Sequence, residues 1–484
     1  MMRRNGPRGL LLLLVLCSAP AWSADRFAGV RAHIRSELVA QSVPSIAVAV
    51  AENGRIVWEE GFGWADREKR IPATEHTVYS LASISKPITA TGLMTLVQAG
   101  KIDLDHPVND YLGAAKLRAR VGDANDATVR RVANHTAGLP LHYQFFYADE
   151  PYRRPSMDET ILRYGNLVTA PGEKFEYSNL GYGVLDYLIE RVSGLRYAEF
   201  MRREVFLPLG LTHTSVDIGP GLEAYAATRY GVDGLPIPFY DFDHPGASAV
   251  FSSAHDLLRF GLFHLKAHLH DQRAILSDAA LDEMHRPTAP RADGSGYGIG
   301  FGVRERAGYP FITHNGSMPG VATRMVLFPR QQIAIVVLSN AGTDLARDTA
   351  ERITAVLLPK WRIAANQDEP LLAPFSVPDE LRGTWQGTLS TYAKEVSVEL
   401  RFLPGGDVHA KIGDQLTALV NQPQYRDGVF SGELIAHIDT PDTARHAHAV
   451  SLSLRMRGDV LNGSATAIPV DDPREHYALT QWVS

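Results

Sequence analysis

"SIAVAVAENGRIVW", residues 45–58, is a pair of β-rich runs on either side of an Asn-Gly dipeptide. Asn53-Gly54 tolerates the positive φ angles that a two-residue hairpin turn requires at both central positions. The stretch therefore predicts an antiparallel hairpin at the start of a domain. Two further apolar β runs, residues 323–327 and 333–338, stand about 280 positions later around Phe328-Pro329-Arg330-Gln331-Gln332. Between these ends the apolar spacing predicts helices near residues 83–99, 182–192 and 254–265, with another at 345–358. Strands at both ends of a segment with helices between them imply an α+β fold. One antiparallel sheet is closed by the two ends of the segment and flanked by helices.

Outside that segment the pattern changes. Residues 365–378 turn polar and proline-rich, with Pro370, Pro374 and Pro378, and read as a linker. Beyond them, residues 396–402, 428–435 and 449–456 are short alternating runs separated by Gly, Asp and Asn turns, the pattern of a small β-barrel or sandwich. At the other end, Arg3, Arg4 and Arg8 precede an apolar run at residues 10–16 and a small-residue end at 19–24, as in a secretory signal. Cleavage after Ser23 fits as well as cleavage after Ala24. A lipoprotein reading at Cys17 meets a bulky Leu16 where a small residue would be expected. The expected organisation is a signal at 1–24, a first domain at 25–365, a linker at 366–378 and a β-barrel at 379–484, in a periplasmic or secreted protein.

Composition narrows the chemistry. Cys17 is the single cysteine, so a mature chain would hold no disulfide, zinc-thiolate site or cysteine nucleophile. Without the three arginines of the signal, 45 basic residues face 54 acidic ones, which argues against nucleic acid as the main partner. A small-molecule or short-peptide substrate is expected, with no stable membrane span and no cofactor or metal; the oligomeric state is left open.

Ser83-Ile84-Ser85-Lys86 is the chemically loaded stretch. Serine and lysine three apart on a helix share a face. A serine hydroxyl is a poor nucleophile until a neighbouring base removes its proton, and a lysine whose pKa is depressed by burial can be that base. Taken alone, the pattern is as readily a helix cap with a solvated lysine. Its company decides: Tyr177-Ser178-Asn179 lies in "PGEKFEYSNLGYGVL" (171–185), and His314-Asn315-Gly316 is followed by "SMPG" and two strands. Each pattern has a decoy. Tyr164-Gly165-Asn166 falls in an expected helix, and His244-Pro245-Gly246 precedes the "SSAHDLLRF" helix.

In that order, the three motifs resemble those of the serine hydrolases related to class C β-lactamases, which include penicillin-binding DD-peptidases, D-amino-acid peptidases and esterases. "VPSIAVAV", "GKIDLDHPVNDYL", "NHTAGLP", "SSAHDLLRF" and "YGIGFGV" extend the resemblance over residues 27–358. It implies a β-lactamase/transpeptidase-like domain with an all-helical region. Ser83 would be the nucleophile, Lys86 its proton partner and Tyr177 the relay to the leaving group. Asn179 would bind substrate or orient Lys86. The backbone N–H groups of Ser83 and Ser317 would form an oxyanion hole, with Gly316 letting the strand approach substrate. His135 in "NHTAGLP" would belong to a nearby loop and not act as a base. "LRGTWQGTL" resembles the Gly-x-Trp opening of lipocalin-like barrels.

The third motif departs from the commonest family pattern by carrying histidine in place of lysine, so the substrate-binding group is expected to be mostly neutral at pH 7. That favours ester or peptide-like substrates over β-lactams. Two other classes remain. A zinc enzyme would rest on His264, His268 and His270, where a solvated helix end is the plainer reading. A non-catalytic binder of cell-wall peptides would have lost activity, yet Ser83, Lys86 and Tyr177 are all present.

Overall fold

The computed structural model describes residues 25–291, 293–363, 375–470 and 474–484. The expected export signal and most of the expected linker lie outside these residues.

The first domain is built on a nine-stranded antiparallel sheet. Its centre is Ser45–Glu52, paired on one side with Arg55–Asp66 and on the other with Ile333–Ser339, so the two sequence ends close the sheet as expected. Asn53 and Gly54 turn the hairpin at φ 53° and 73°. The central strand is buried along nearly its whole length, and its alternation sorts the two faces. Ile46, Val48 and Val50 point to the terminal helices Ala28–Ala40 and Leu345–Leu357. Ala47, Ala49 and Ala51 point to the larger core, where small side chains let the Ala254–His264 helix lie close.

The sheet continues from Ile333–Ser339 through Val321–Phe328 to Tyr309–Met318, then Gly302–Arg306 and Gly296–Tyr297. Against this half lies the helical region, including Ser85–Gln98 and Asn179–Ser193. The expected helix at 83–99 begins as a tight turn, Ala82–Ile84, before the α-helix proper. Pro87 falls in the first turn, where its missing N–H costs nothing.

The C-terminal strands form an up-and-down barrel. Consecutive strands pair from Gly383–Ser390 through Glu395–Phe402 to Val408–Ile412, and again from Val429–Leu434 through His448–Arg457 and Val460–Pro469 to Tyr477–Val483. Ala418–Leu419 pairs with Val408–Ile412, and Asn421–Arg426 pairs with Val429–Leu434. The chain thus passes from one end of the strand order to the other at Val420. The ring is completed where Leu389 and Ser390 meet Val483 and Trp482. Trp385 is half-buried and its indole N–H donates to the Leu381 carbonyl at 2.9 Å.

The barrel is stitched into the first domain. Tyr143–Tyr147 pairs with Tyr240–Phe242 on one edge and with Tyr477 and Ala478 of the last barrel strand on the other. Thr480 Oγ1 donates to the Leu141 carbonyl at 2.6 Å. Tyr164 is one side of a second seam: it ends the Met157–Tyr164 helix and donates its hydroxyl to Asp442 Oδ2 at 2.6 Å. The barrel also reaches the loop that carries Tyr177, where Arg455 and Arg457 pair with Glu173 at 3.1 and 2.9 Å.

Candidate active site

Ser83 occupies the tight turn that enters the Ser85–Gln98 helix. Two devices fix that turn. Ala82 adopts φ +48°, a left-handed conformation that a residue with a Cβ seldom takes without support. The support comes from the sheet, because Thr323 Oγ1 donates to the Leu81 carbonyl at 2.9 Å and Gly316, its cross-strand partner, packs against the same segment. A Cβ at Gly316 would lie 2.1 Å from the Leu81 oxygen and 2.9 Å from Ala82 Cβ. The close approach that the sequence assigned to substrate is therefore first an approach to the backbone before the nucleophile. Ser85 also has a defined role: its hydroxyl accepts the Val250 N–H at 3.0 Å and ties the turn to a neighbouring strand.

Lys86, one helical turn along, is completely buried. Its Nζ lies 3.0 Å from Ser83 Oγ, 2.7 Å from Asn179 Oδ1 and 3.2 Å from the Ala247 carbonyl. Among the described residues no carboxylate pairs with it, and burial holds its pKa well below the ordinary lysine value. A neutral amine has two N–H groups and one lone pair. In the neutral form that burial favours, the Asn179 and Ala247 oxygens can take the two N–H groups and the lone pair can face the Ser83 hydroxyl.

Asn179 thus orients Lys86 through its side-chain oxygen. It opens the Asn179–Ser193 helix, whose cap is Ser178 Oγ accepting the Gly181 N–H. Tyr177, two residues earlier, lies near enough to Ser83 for that hydroxyl to favour its phenolate, and has its ring centroid 4.8 Å from Lys86 Nζ. Burial raises its pKa above the usual phenol value, so it is a neutral O–H at physiological pH. The pair is pushed in opposite directions, and Lys86 is the group able to take a proton.

His135 holds this loop. With φ +64°, its carbonyl accepts the Glu176 N–H at 2.7 Å and its Nδ1 accepts the Ser178 N–H at 3.2 Å. Its ring lies among Tyr177, Tyr182 and Tyr297 at 4.5, 5.4 and 4.9 Å. Burial holds it neutral. These are the contacts of a group that positions Tyr177.

His314, the expected substrate-binding residue of the third motif, lies buried beside Tyr297. It is 7% exposed, and both ring nitrogens are taken: Nδ1 donates to the Asn315 carbonyl at 2.8 Å, and Nε2 accepts from Tyr297 Oη at 2.9 Å. Burial pushes its pKa down to about 3. Ser317, two residues past the motif histidine's neighbour Asn315, is exposed and lines a cavity of about 200 Å³ with Tyr230, Ile237 and the barrel residues Arg474 and Glu475. Tyr297 and Arg291 were not singled out from sequence. Arg291 stacks on Phe175 at 4.9 Å, and its field lowers the pKa values of Tyr177, His135 and His314. The "YGIGFGV" segment signals Tyr297, whereas nothing in the sequence singles out Arg291.

The rejected alternatives have structural explanations. His244 is buried against Asp243 at 2.5 Å, and Asp243 also holds His142 at 2.6 Å. His264 is a core residue and not part of a solvated helix end, since Thr91 Oγ1 and His285 Nε2 each lie 3.1 Å from its ring. The helix stops at His264, so His268 does not share its face. Among the described residues no helix is long and apolar enough to cross a membrane.

An antiparallel sheet flanked by helices, with a serine, a buried amine and a neutral phenol at the junction, defines a serine hydrolase of the β-lactamase/transpeptidase-like class. The beta-lactamase family model matches residues 30–358, and the chain belongs to that family. Penicillin-binding protein 4* of Bacillus subtilis (strain 168) is 27% identical over 326 residues, covering 63% of this chain and 69% of that protein. A class C beta-lactamase structure from Rhodobacter sphaeroides superposes with TM-score 0.58 at 22% identity, over 68% of this chain and 98% of that one. The structure of SurE with D-Leu superposes with TM-score 0.64 at 20% identity and covers 94% of this chain and 99% of that one.

Proposed function

We propose that the protein is an exported hydrolase that cleaves ester or peptide-like amide bonds through an acyl-enzyme on Ser83. The observation that carries this is the surroundings of the buried Lys86 Nζ: the Asn179 and Ala247 oxygens at 2.7 and 3.2 Å and the Ser83 hydroxyl at 3.0 Å. In the acylation step Ser83 Oγ attacks the carbonyl carbon while its proton passes to Lys86. The backbone N–H groups of Ser83 and Ser317 receive the oxyanion. Tyr177 hands its phenolic proton to the departing alkoxide or amine and is reprotonated through Ser83's side of the network from Lys86. Water then attacks the ester along the reverse proton path and frees Ser83.

His314 supports the choice of substrate. A neutral, doubly engaged imidazole supplies no cation for a substrate carboxylate at that position, so short esters and peptide-like amides fit better than β-lactams. A D-amino-acid peptide is the second reading, supported by the neighbour solved with D-Leu and by the penicillin-binding relative. Arg291 is the cation whose field reaches the site and is the group to receive a terminal carboxylate. The signal pattern of residues 1–24 supports a periplasmic or secreted location.

The test compares kcat/KM for a short-chain p-nitrophenyl ester, D-amino-acid amides and a chromogenic cephalosporin. Ester turnover should exceed cephalosporin turnover, and a fluorophosphonate adduct should map to Ser83. Far higher cephalosporin kcat/KM overturns the substrate assignment. Unchanged activity in Ser83→Ala overturns the mechanism.

A further inference from the structure

Away from Ser83, the junction of the two domains gathers a second group of chemistry-bearing side chains. Glu150 follows the Tyr143–Tyr147 strand of the first domain, whereas His446 and His476 belong to the barrel. One ligand atom from each lies within 4.8 Å of the other two. Glu150 Oε1 is 3.4 Å from His476 Nδ1 and 3.8 Å from His446 Nε2. The two imidazoles stack with centroids 3.6 Å apart.

We propose that Glu150, His446 and His476 bind a divalent zinc-like ion that clamps the barrel to the hydrolase domain. Two imidazoles and a carboxylate are a donor set for zinc, with bonds of about 2.0–2.2 Å and hence ligand atoms roughly 3.4 Å apart. The observed separations reach that value by rotation about the terminal torsions of these side chains, which have broad minima.

The backbone holds the three residues ready. His476 accepts the Phe145 N–H at 2.7 Å through its carbonyl, which ties it to the strand that leads into Glu150. Tyr477 Oη donates to the His446 carbonyl at 3.1 Å and to the Thr443 carbonyl at 2.7 Å. The side chains are protected as well: His476 is 0% exposed and Glu150 11%. Glu150 Oε2 makes no hydrogen bond to the described residues. A divalent cation relieves that cost.

The cations already present leave room for it. Arg474 is committed to Asp149 at 3.0 Å and stands 3.9 Å from Glu150, while Arg445 stacks on Tyr152 and Tyr477 and bonds Gln144 at 3.0 Å. Entry is available from the barrel, where His446 lines a cavity of about 850 Å³ that contains none of Ser83, Lys86 or Tyr177.

The test uses the full chain without an affinity tag, stripped with EDTA and then given Zn²⁺, Co²⁺ or Mg²⁺. One Zn²⁺ per chain should survive dialysis, Co²⁺ should show the visible bands of a four-coordinate site, and Mg²⁺ should not bind. Zn²⁺ should raise Tm by about 2 °C or more. Glu150→Gln and His446→Asn should each lower Zn²⁺ affinity at least ~10-fold, whereas His448→Gln, in the same cavity wall, should leave it unchanged. Absence of Zn²⁺ retention and Co²⁺ bands in the wild type overturns the proposal. So does retention that both Glu150→Gln and His446→Asn leave intact, because the ion is then elsewhere.

Discussion

Replacing Gly316 with alanine tests whether the sheet sets the position of the nucleophile. The added Cβ would stand 2.1 Å from the Leu81 carbonyl oxygen, 2.4 Å from Thr323 Oγ1 and 2.9 Å from Ala82 Cβ. The first of these is more than ~1 Å inside van der Waals contact. Leu81 O cannot swing aside without losing the Thr323 hydrogen bond at 2.9 Å, so the strand and the Ser83 turn must part by about 1 Å. A displacement of that size at a reacting atom costs on the order of 10²-fold in rate. The overpacking itself costs about 1–3 kcal/mol of stability. The assay is the second-order rate of fluorophosphonate labelling at Ser83, with kcat/KM on a p-nitrophenyl ester and Tm alongside. Gly302→Ala is the control, because its Cβ would meet Thr313 O at 3.4 Å, an ordinary contact. A folded Gly316→Ala protein that labels within about threefold of wild type refutes the reasoning, since that rate lies far outside the ~10²-fold expected for a displaced nucleophile.

Lys86→Met should lower kcat/KM on the order of 10³-fold or more. Its Tm should equal or exceed the wild-type value, because a buried amine is replaced by an apolar chain; retention of a tenth of the activity would remove Lys86 as the base. For His314 the sign follows from a folded pKa of about 3 against an unfolded value of 6.5. Below pH 6.5 the unfolded state takes up a proton that the native state refuses, so this contribution is complete above pH 6.5 and is lost as pH falls toward 3. It is worth on the order of several kcal/mol, and His314→Gln should flatten the fall of Tm between pH 6.5 and 4; parallel curves would contradict the assignment.

Much of this arrangement is legible in the sequence because it is local. Asn53-Gly54 dictates its hairpin, and Ser83 and Lys86 meet because three residues along a helix make one turn. The order of motifs brings Tyr177 and Asn179 to the same point. What escapes is decided by partners distant in the chain. The contact of Asn179 with Lys86 joins residues 93 positions apart. His314 turns inward because Tyr297, outside its own motif, completes its hydrogen bonding. His264 is a core residue through Thr91, and no spacing rule for helix ends anticipates that contact. Glu150, His446 and His476 share no motif at all, since the domain junction alone assembles them.

That junction also bears on how the chain is made. Tyr147 hydrogen-bonds the carbonyl of Glu475, a partner synthesised 328 residues later. Until then the Tyr143–Tyr147 strand has one edge without its final neighbour, and it carries Tyr143, Phe145 and Phe146. An unpaired, aromatic-rich edge is a template for association with other chains. A chain interrupted before Glu475 would therefore be prone to aggregate even though every residue of the Ser83 site had been made.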